Sequence, residues 1–215
     1  MFESNAGGNN SGLDPQRIAS LTEAQQEIYR NRTGQSAAEY KRAVAVMPGG
    51  VPSSFQMMDP WPVYLTEGKG SQVWDVDGNQ YTDFHAGFGV MVIGHANPTI
   101  GEAVKARTDQ STHFAAPTND SIVVAEELKR RFGLPHWRFI NSGTEATMDA
   151  VHLARGATGR DMILKVEGSY HGHHYAVMVS VAPPLDQIGT RENPIAIPYG
   201  EGTPKALTDL TNTVP

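Results

Sequence analysis

The sequence predicts an α/β protein with a mainly parallel sheet flanked by helices, preceded by a segment of helices and a small β-meander. Three observations lead to this fold class. After about residue 94, strand-like runs alternate with stretches of helical periodicity. Before that point, short β-rich runs are separated by turns that contain glycine. With 215 residues, of which 39% are hydrophobic, the chain is long enough to bury a sizeable core.

The N-terminal part of the chain begins with a polar stretch. Residues 1–13 are rich in Gly, Asn and Ser and have no periodic apolar face, so we expect a mobile tail. Asp14 and Pro15 are typical of a helix N-cap and first turn, and the apolar pattern after them predicts a helix that ends before Gly34. A second helix is expected from Ser36 to Val46.

A β-meander follows these two helices. Residues 63–84, VYLTEGKGSQVWDVDGNQYTDF, contain short β-rich runs separated by Gly-Lys-Gly and by Asp77-Gly78-Asn79. The second of these turns is typical of a tight hairpin between antiparallel strands. We therefore assign residues 14–93 to one N-terminal segment of helices and meander.

Residues 94–215 contain longer units in which helices and strands alternate. This alternation is typical of a parallel sheet covered by helices on both faces. The predicted helices are Pro98–Asp109, Asp120–Phe132 and one that starts at Thr144, and the predicted strands are Trp137–Ile140, Met162–Val166, Ala176–Ser180 and Ile195–Ile197.

Charge and composition exclude several classes of function. Lys and Arg number 17 against 23 for Asp and Glu, which gives a net charge of −6. The positive and negative residues are interspersed along the chain, so we predict no nucleic-acid or membrane partner. The chain has no cysteine, which excludes disulfides and thiolate metal sites. It shows neither a charged-then-apolar leader nor an apolar run of about 18 residues. We therefore expect a cytoplasmic protein.

The first candidate site is the turn Ser142-Gly143-Thr144, which follows a predicted strand and opens a helix. Such a turn brings backbone N–H groups, two hydroxyls and the positive end of a helix dipole to one point. Gly143 would allow close approach of a ligand to the backbone. These features suit a phosphate group, but Ser142 or Thr144 would also serve as an ordinary helix N-cap. The residues alone leave both interpretations open.

The second candidate site is the segment EGSYHGHHY, residues 167–175, directly after a predicted strand. Ligands of parallel sheets bind at the carboxyl ends of the strands, so we expect Tyr170 at the same rim as the Ser142 turn. Its ring could stack on a flat ligand, or it could be a half-buried side chain with a hydrogen-bonded hydroxyl. His171, His173 and His174 have no nearby carboxylate or cysteine to complete a tetrahedral set, so we predict no metal site.

Together these residues resemble the class III aminotransferases that use pyridoxal 5'-phosphate (PLP), most closely the branch that includes glutamate-1-semialdehyde 2,1-aminomutase. The resemblance runs from about Tyr40 to the end of the chain. It implies the type I fold of PLP-dependent transferases, with residues 94–215 as the first half of the large PLP-binding domain. Its motifs, in the family's order, are MPGGVPSS, GSQVWDVDGNQYTDF, VIGHANP, APT, RFINSGTEATMDAVHLARGATGR and SYHGHH.

The resemblance implies roles in cofactor binding for four residues. Gly143 and Thr144, with Ser142 beside them, match the residues that hold the cofactor phosphate. Tyr170 matches the aromatic residue that stacks on the pyridine ring. The assignment of Ser142, Gly143 and Thr144 agrees with the phosphate interpretation of the helix terminus.

The resemblance also places Ser53 and Phe88 in the substrate pocket, and there this chain departs from the aminomutase branch. Phe88-Gly89 stands where that branch usually has Trp-Gly, and Tyr175 stands where it usually has Asp. Residues 181–193, VAPPLDQIGTREN, lack its glycine- and serine-rich gating segment. We therefore favour an aminotransferase that moves an amino group between an amine or amino acid and a 2-oxo acid. The internal amino shift of the aminomutase is the alternative.

The family implies a Schiff-base lysine and an acidic residue beneath the ring, both well downstream of the Tyr170 segment. None of the six lysines occupies the lysine motif, so we expect the Schiff-base lysine beyond Pro215 and no catalytic residue within this chain. Lys165, near the end of a strand, is expected to be solvated or snorkelling. We accordingly expect the 215 residues to be a fragment. The six are Lys41, Lys69, Lys105, Lys129, Lys165 and Lys205.

A function without catalysis is an alternative to the enzyme. The chain could be a non-catalytic fragment or a module that binds PLP without turnover. The family also implies a homodimer with its sites at the subunit interface, acting on a small-molecule amino donor and a 2-oxo acid acceptor.

Overall fold

The computed structural model describes residues 14–215, so the tail predicted at residues 1–13 lies outside the described part. The chain forms two compact units, residues 14–113 and 114–215. The division predicted between residues 93 and 94 is based on a change in secondary-structure pattern, whereas the compact units are defined by contacts. The predicted division therefore stays a prediction.

The first unit contains four helices, two 3-10 turns and three strands. In chain order they are α1 (Pro15–Arg32), α2 (Gly34–Ala43), the 3-10 turns Pro48–Gly50 and Ser54–Gln56, β1 (Leu65–Lys69), β2 (Gln72–Asp75), β3 (Gln80–Thr82), the one-turn α3 (Ala86–Gly89) and α4 (Pro98–Thr108).

Both predicted N-terminal helices are present. The Asp14 carboxylate accepts a hydrogen bond from the Gln16 amide at 2.9 Å, so α1 begins at Pro15 as predicted. Helix α2 begins two residues before the predicted Ser36 because a distant side chain caps it. The Asp77 carboxylate accepts hydrogen bonds from the Gln35 amide at 2.6 Å and the Ser36 amide at 3.0 Å.

The predicted meander is a three-stranded antiparallel sheet in the order β1-β2-β3. Its hairpin turn at Asp77-Gly78-Asn79 contains Gly78 with a φ of +82°, a left-handed conformation that glycine adopts without strain. At the end of β2, Asp75 is 2% exposed and accepts hydrogen bonds from the turn. The buried apolar side chains of this unit are Ala43, Val51 and Val73.

The second unit contains three helices and four strands. In chain order they are α5 (Asn119–Phe132), α6 (Gly143–Thr158), β4 (Ile163–Val166), β5 (Gly189–Thr190), β6 (Asn193–Pro194), α7 (Lys205–Thr208) and β7 (Thr211–Val214). The predicted helices at 120–132 and 144 onward and the predicted strand at 162–166 are therefore present. Strands β4 and β7 form a parallel pair, with Ile163 opposite Thr211 and Val166 opposite Val214.

Three predicted strands are not strands in the structure. Residues 137–140 pair with no strand in the described chain, and Phe139 is 50% exposed. Residues 176–180 make a single bridge, between Val179 and Pro198, and residues 195–197 lie outside any ladder. The composition of all three is strand-like, but a ladder also needs a neighbouring backbone.

The buried segment 177–180 anchors the second unit and positions the loop before it. Val177, Met178, Val179 and Ser180 are all buried. The Ser180 carbonyl accepts a hydrogen bond from the Gly168 amide at 2.8 Å. The segment 167–175, called the histidine loop below, is therefore held at both ends, by β4 and by this core. Across residues 14–215, no helix combines the length and apolar character needed to cross a bilayer.

Candidate functional site

Ser142 caps helix α6, as one of the two interpretations of the turn predicts. Its backbone is extended, and its hydroxyl oxygen accepts a hydrogen bond from the Glu145 amide at 3.2 Å. The same hydroxyl donates to the Glu145 carboxylate, with 3.1 Å between the oxygens. This capping interaction satisfies only the third amide of the helix.

The cap therefore does not exclude an anion site, because two amides of the first turn remain. Within the described chain, the Gly143 and Thr144 amides have no hydrogen-bond acceptor. A Cβ built on Gly143 meets no atom within 4 Å, so the space on the Cβ side of this residue is open. Unpaired amides together with the positive end of the helix dipole favour an anion at this point.

The Thr144 hydroxyl adds a third donor beside these two amides. Its oxygen accepts a hydrogen bond from the His173 amide at 2.9 Å. No acceptor for the hydroxyl proton itself lies among residues 14–215, so the proton remains free to bond a ligand oxygen. Two amides and one hydroxyl at a helix N-terminus are donors well suited to a phosphate group.

Tyr170 belongs to the histidine loop, and this loop contacts the first turns of α6. The His171 carbonyl lies 2.5 Å from the Thr147 hydroxyl oxygen, and the His173 amide donates to Thr144. The Tyr170 side chain is 50% exposed. The structure thus brings together two segments that are 26 positions apart in sequence, the Ser142-Gly143-Thr144 turn and the loop that carries Tyr170.

Ser53 and Phe88, the predicted substrate-pocket residues, lie on two segments that meet within the first unit. Ser53 opens the short turn 54–56, and the Gln56 side chain accepts a hydrogen bond from the Ser53 amide at 3.2 Å. The Phe55 ring packs edge-on against Phe88, with 6.1 Å between the ring centroids. The Phe88 side chain is 73% exposed.

Phe88 lies in a left-handed turn that the sequence did not indicate. All four residues of α3 have positive φ, and two of them, Ala86 at +47° and Phe88 at +58°, are not glycine. Such residues cost roughly 1–2 kcal/mol each. The Asp83 carboxylate compensates by accepting hydrogen bonds from the His85 and Ala86 amides, both at 2.8 Å. Backbone strain of this kind is concentrated at ligand sites.

Lys165 is buried, so the expectation of a solvated or snorkelling side chain is wrong. The side chains of β4 alternate, which places Lys165 with Thr211 and Thr213 on the covered face of the β4-β7 pair, while Leu164 is 70% exposed. The Lys165 ammonium donates to the Val166 carbonyl at 3.1 Å. Burial lowers the pKa of Lys165, although the Glu167 carboxylate opposes that effect.

The histidines of the loop make hydrogen bonds to protein groups. Burial lowers the pKa of His174, and the neighbouring His152, Arg155 and His173 lower it further. Its Nε2 atom lies 3.1 Å from the Thr147 hydroxyl oxygen. Among the residues that the structure describes, no group of three or more His, Cys, Asp or Glu is arranged to bind a metal ion.

Two residues of this site, Thr147 and Gly172, were not found from the sequence. Thr147 lies one turn into α6, where a polar β-branched residue has no evident purpose in the helix itself. Gly172 lies between two histidines and is buried. The signals were therefore present, but their partners lie 24 and 28 positions away and only the fold reveals them.

The chain is similar to known aminotransferases and aminomutases. The model of the family described as aminotransferase class-III matches residues 55–198. The chain is 38% identical over 188 residues to a glutamate-1-semialdehyde 2,1-aminomutase from Thermodesulfovibrio yellowstonii, a match that covers 86% of this chain and 42% of that protein. The chain thus spans less than half the length of this relative.

Two solved structures give the same picture at the level of the fold. A transaminase with PLP bound is 39% identical, with a TM-score of 0.77, over 85% of this chain and 42% of its own. A glutamate-1-semialdehyde aminomutase from Pseudomonas aeruginosa PAO1 is 28% identical, with a TM-score of 0.82, over 94% and 44%. These matches confirm the predicted α/β fold of type I PLP-dependent transferases. They also support PLP as the cofactor.

Proposed function

The chain belongs to the class III aminotransferase family, and from that premise we propose that it supplies the phosphate-binding and ring-stacking part of a PLP-dependent aminotransferase. The complete enzyme would move an amino group between an amine or amino acid and a 2-oxo acid. One observation carries this proposal: the first turn of α6 has two amides and a hydroxyl proton without acceptors in the described chain, beside the loop that carries Tyr170.

The proposed roles follow from these groups. The Gly143 and Thr144 amides and the Thr144 hydroxyl bind the phosphate, while Ser142 keeps the turn in place by capping the helix. Tyr170 covers one face of the ring. When bound, PLP supplies an aldehyde that condenses with amino groups and a ring that withdraws electrons.

The lysine that would hold the cofactor lies, on this proposal, outside the 215 residues. Lys165 does not replace it, because its amine is buried and bonded to the Val166 carbonyl. The left-handed turn at Phe88 and the Ser53 turn that meets it form the proposed substrate pocket within the first unit. The homodimer and the cytoplasmic location stay predictions.

A second candidate is the internal amino shift of the aminomutases. It is favoured by the name of the curated relative that is 38% identical and of one of the two solved structures. The Phe88-Gly89 pair and Tyr175 speak against it, because they replace residues usual in that branch. A third candidate, a PLP-binding module without turnover, requires that no lysine joins the site.

Borohydride reduction of the PLP-treated complete gene product tests the proposal. Reduction converts a lysine–PLP linkage into a stable adduct that peptide mass mapping locates. We expect one adduct, on a lysine outside residues 1–215. An adduct on Lys165, or only scattered surface labelling, would contradict the assignment.

The same preparation separates the candidate reactions. An aminotransferase converts the bound cofactor to its amine form when an amino donor is added, and a 2-oxo acid converts it back. An aminomutase interconverts its substrate and product with no net use of a 2-oxo acid. A module without turnover shows neither reaction but still binds PLP.

A further inference from the structure

The Thr147 hydroxyl connects helix α6 to the histidine loop by hydrogen bonds. Its oxygen lies 2.5 Å from the His171 carbonyl, and 3.0 Å and 3.1 Å from the Gly143 and Thr144 carbonyls of its own helix. A hydroxyl has one proton to donate. Because the contact with His171 is the shortest, that carbonyl receives the proton.

The His174 ring completes the second half of this connection. Its Nε2 atom lies 3.1 Å from the same Thr147 oxygen. With the Thr147 proton assigned to His171, the oxygen is the acceptor toward His174, and we therefore assign the ring hydrogen to Nε2. Thr147 thus bonds the loop at two positions, as donor to His171 and as acceptor from His174.

Gly172 brings the loop backbone against the residue proposed to bind phosphate. A Cβ built on Gly172 would lie 2.6 Å from the Thr144 Cα and 2.9 Å from the Thr144 hydroxyl oxygen. Its φ of +106° is also one that other residues rarely adopt. No side chain fits at this position without moving Thr144 or the loop.

We propose that Thr147 and Gly172 are positioning residues of the cofactor site, which fix residues 171–174 on the first turn of α6 and so set the spacing between Tyr170 and Thr144. This inference rests on the proposed function. A ligand that bears both a ring and a phosphate gains affinity when its two binding groups are held at the right spacing. A ligand with only one of these parts gains nothing from that spacing.

The difference between ligands provides the test. We would measure the dissociation constants of PLP and of inorganic phosphate by phosphorus NMR on the complete gene product. Thr147→Val should raise the dissociation constant of PLP about threefold to tenfold, the value of one or two lost hydrogen bonds. That of inorganic phosphate should stay within about twofold, because the α6 amides are unchanged.

Two variants serve as controls for Thr147→Val. Thr147→Ser keeps the hydroxyl and should restore PLP binding. Thr158→Val removes a hydroxyl from the same helix. That hydroxyl donates to the Ala154 carbonyl at 2.7 Å and accepts from the Arg160 amide at 3.2 Å, and neither partner belongs to the histidine loop, so the variant should bind PLP like the wild type. A role of Thr147 in helix stability alone would change phosphate and PLP binding by the same factor.

Gly172→Ala probes the second contact, with Gly156→Ala as its control. Gly156 lies in α6 with no atom within 4 Å of a built Cβ, so its alanine variant should bind PLP normally. Gly172→Ala should weaken PLP binding more than Thr147→Val does, because the Thr144 backbone itself must move.

The outcomes separate this inference from the proposed function. Failure of the wild-type complete gene product to bind PLP would contradict the proposed function and, with it, the positioning role. Suppose instead that the wild type binds PLP. The positioning role alone would then be overturned if Thr147→Val binds PLP as tightly as the wild type, or if it loses PLP and phosphate binding together.

Discussion

Two regions of the molecule gather hydrogen-bond donors at one point, and they differ in whether the chain itself supplies the acceptor. In the meander, the Asp75 carboxylate is 2% exposed and accepts bonds from the Tyr81 hydroxyl at 2.7 Å and the Asn79 amide at 2.8 Å. At the N-terminus of α6, the Gly143 and Thr144 amides have no hydrogen-bond acceptor among the described residues. The first set of donors is filled by the chain, and the second is not.

The electrostatics of Asp75 show what a filled set does. Burial alone would raise the pKa of Asp75, but the hydrogen bonds from Asn79, Tyr81 and the Asp77 amide outweigh it and lower the pKa. Burial and the bonded Asp75 carboxylate raise the pKa of Tyr81 to about 12. The whole group is thus held in one protonation state across the neutral range, as a structural element requires.

The comparison teaches how to separate structure from function in donor-rich turns. Both regions have a capped turn, a glycine and nearby hydroxyls, so residue type does not distinguish them. The hydrogen-bond partners of the donors distinguish them. A turn whose donors all have acceptors within the chain stabilises the fold, and a turn whose donors lack acceptors is suited to a ligand.

The largest effect should come from breaking the filled set. Asp75→Asn replaces an acceptor-only carboxylate by an amide whose NH2 group faces other donors. We expect the free energy of unfolding to fall by roughly 2–4 kcal/mol, the cost of leaving buried polar groups unpaired. Urea unfolding measures it, with the exposed Asp109→Asn as the matched control. A loss below about 1 kcal/mol would show that the network is not structural.

The next largest effect should appear in binding and not in folding. Thr144→Val removes the hydroxyl proposed to donate to phosphate, and a hydrogen bond to a charged group contributes about 1.5–3 kcal/mol. We therefore expect a PLP dissociation constant raised roughly tenfold to hundredfold. The free energy of unfolding should change much less than in Asp75→Asn. Unchanged PLP binding would remove Thr144 from the site.

A smaller effect should distinguish Tyr81 from the exposed tyrosines. Its pKa of about 12 in the folded protein exceeds its ordinary value of 10.0. Because the folded pKa is raised, the stabilisation is complete below pH 10 and is lost as the pH rises toward 12. Ultraviolet titration of the wild type minus Tyr81→Phe should show this late ionisation. A difference titration centred near pH 10 would contradict the Asp75–Tyr81 bond.

The smallest effect concerns the attachment of the histidine loop. Burial, followed by His152, Arg155 and His173, lowers the pKa of His174 below 6.5. Stability from the neutral ring is therefore complete above pH 6.5 and is lost as the pH falls through the folded pKa. Hydrogen exchange of the His173 amide, corrected for intrinsic pH dependence, should become less protected in that range. Protection that stays constant from pH 7 down to the acid limit of the folded state would contradict it.

The sequence predicts well those features whose causes are local. Asp14 and Pro15 mark the start of α1, and the donors of the 142–144 turn follow from the start of a helix. The fold class followed from the alternation of elements and from motifs in a family's order. Local patterns and short motifs carry such information because their partners lie within a few residues.

Features that depend on distant partners were missed. Asp77 caps α2 from 42 positions away, so the start of that helix could not be placed exactly from its own residues. The strand-like residues 137–140 form no strand, because a ladder needs a neighbour that composition does not specify. Lys165 is buried because of what covers one face of β4, and the pattern of β4 alone does not reveal which face that is.

The central claim is that the donors of α6 bind the phosphate of PLP, and proton–nitrogen NMR of the labelled chain tests it most directly. We predict that the Gly143 and Thr144 amide resonances shift saturably as PLP is added, because both amides gain an acceptor. The Asp77 and Asn79 amides, already bonded to Asp75, should stay in place. Gly143 and Thr144 resonances that do not move while PLP binds elsewhere on the chain would contradict the account.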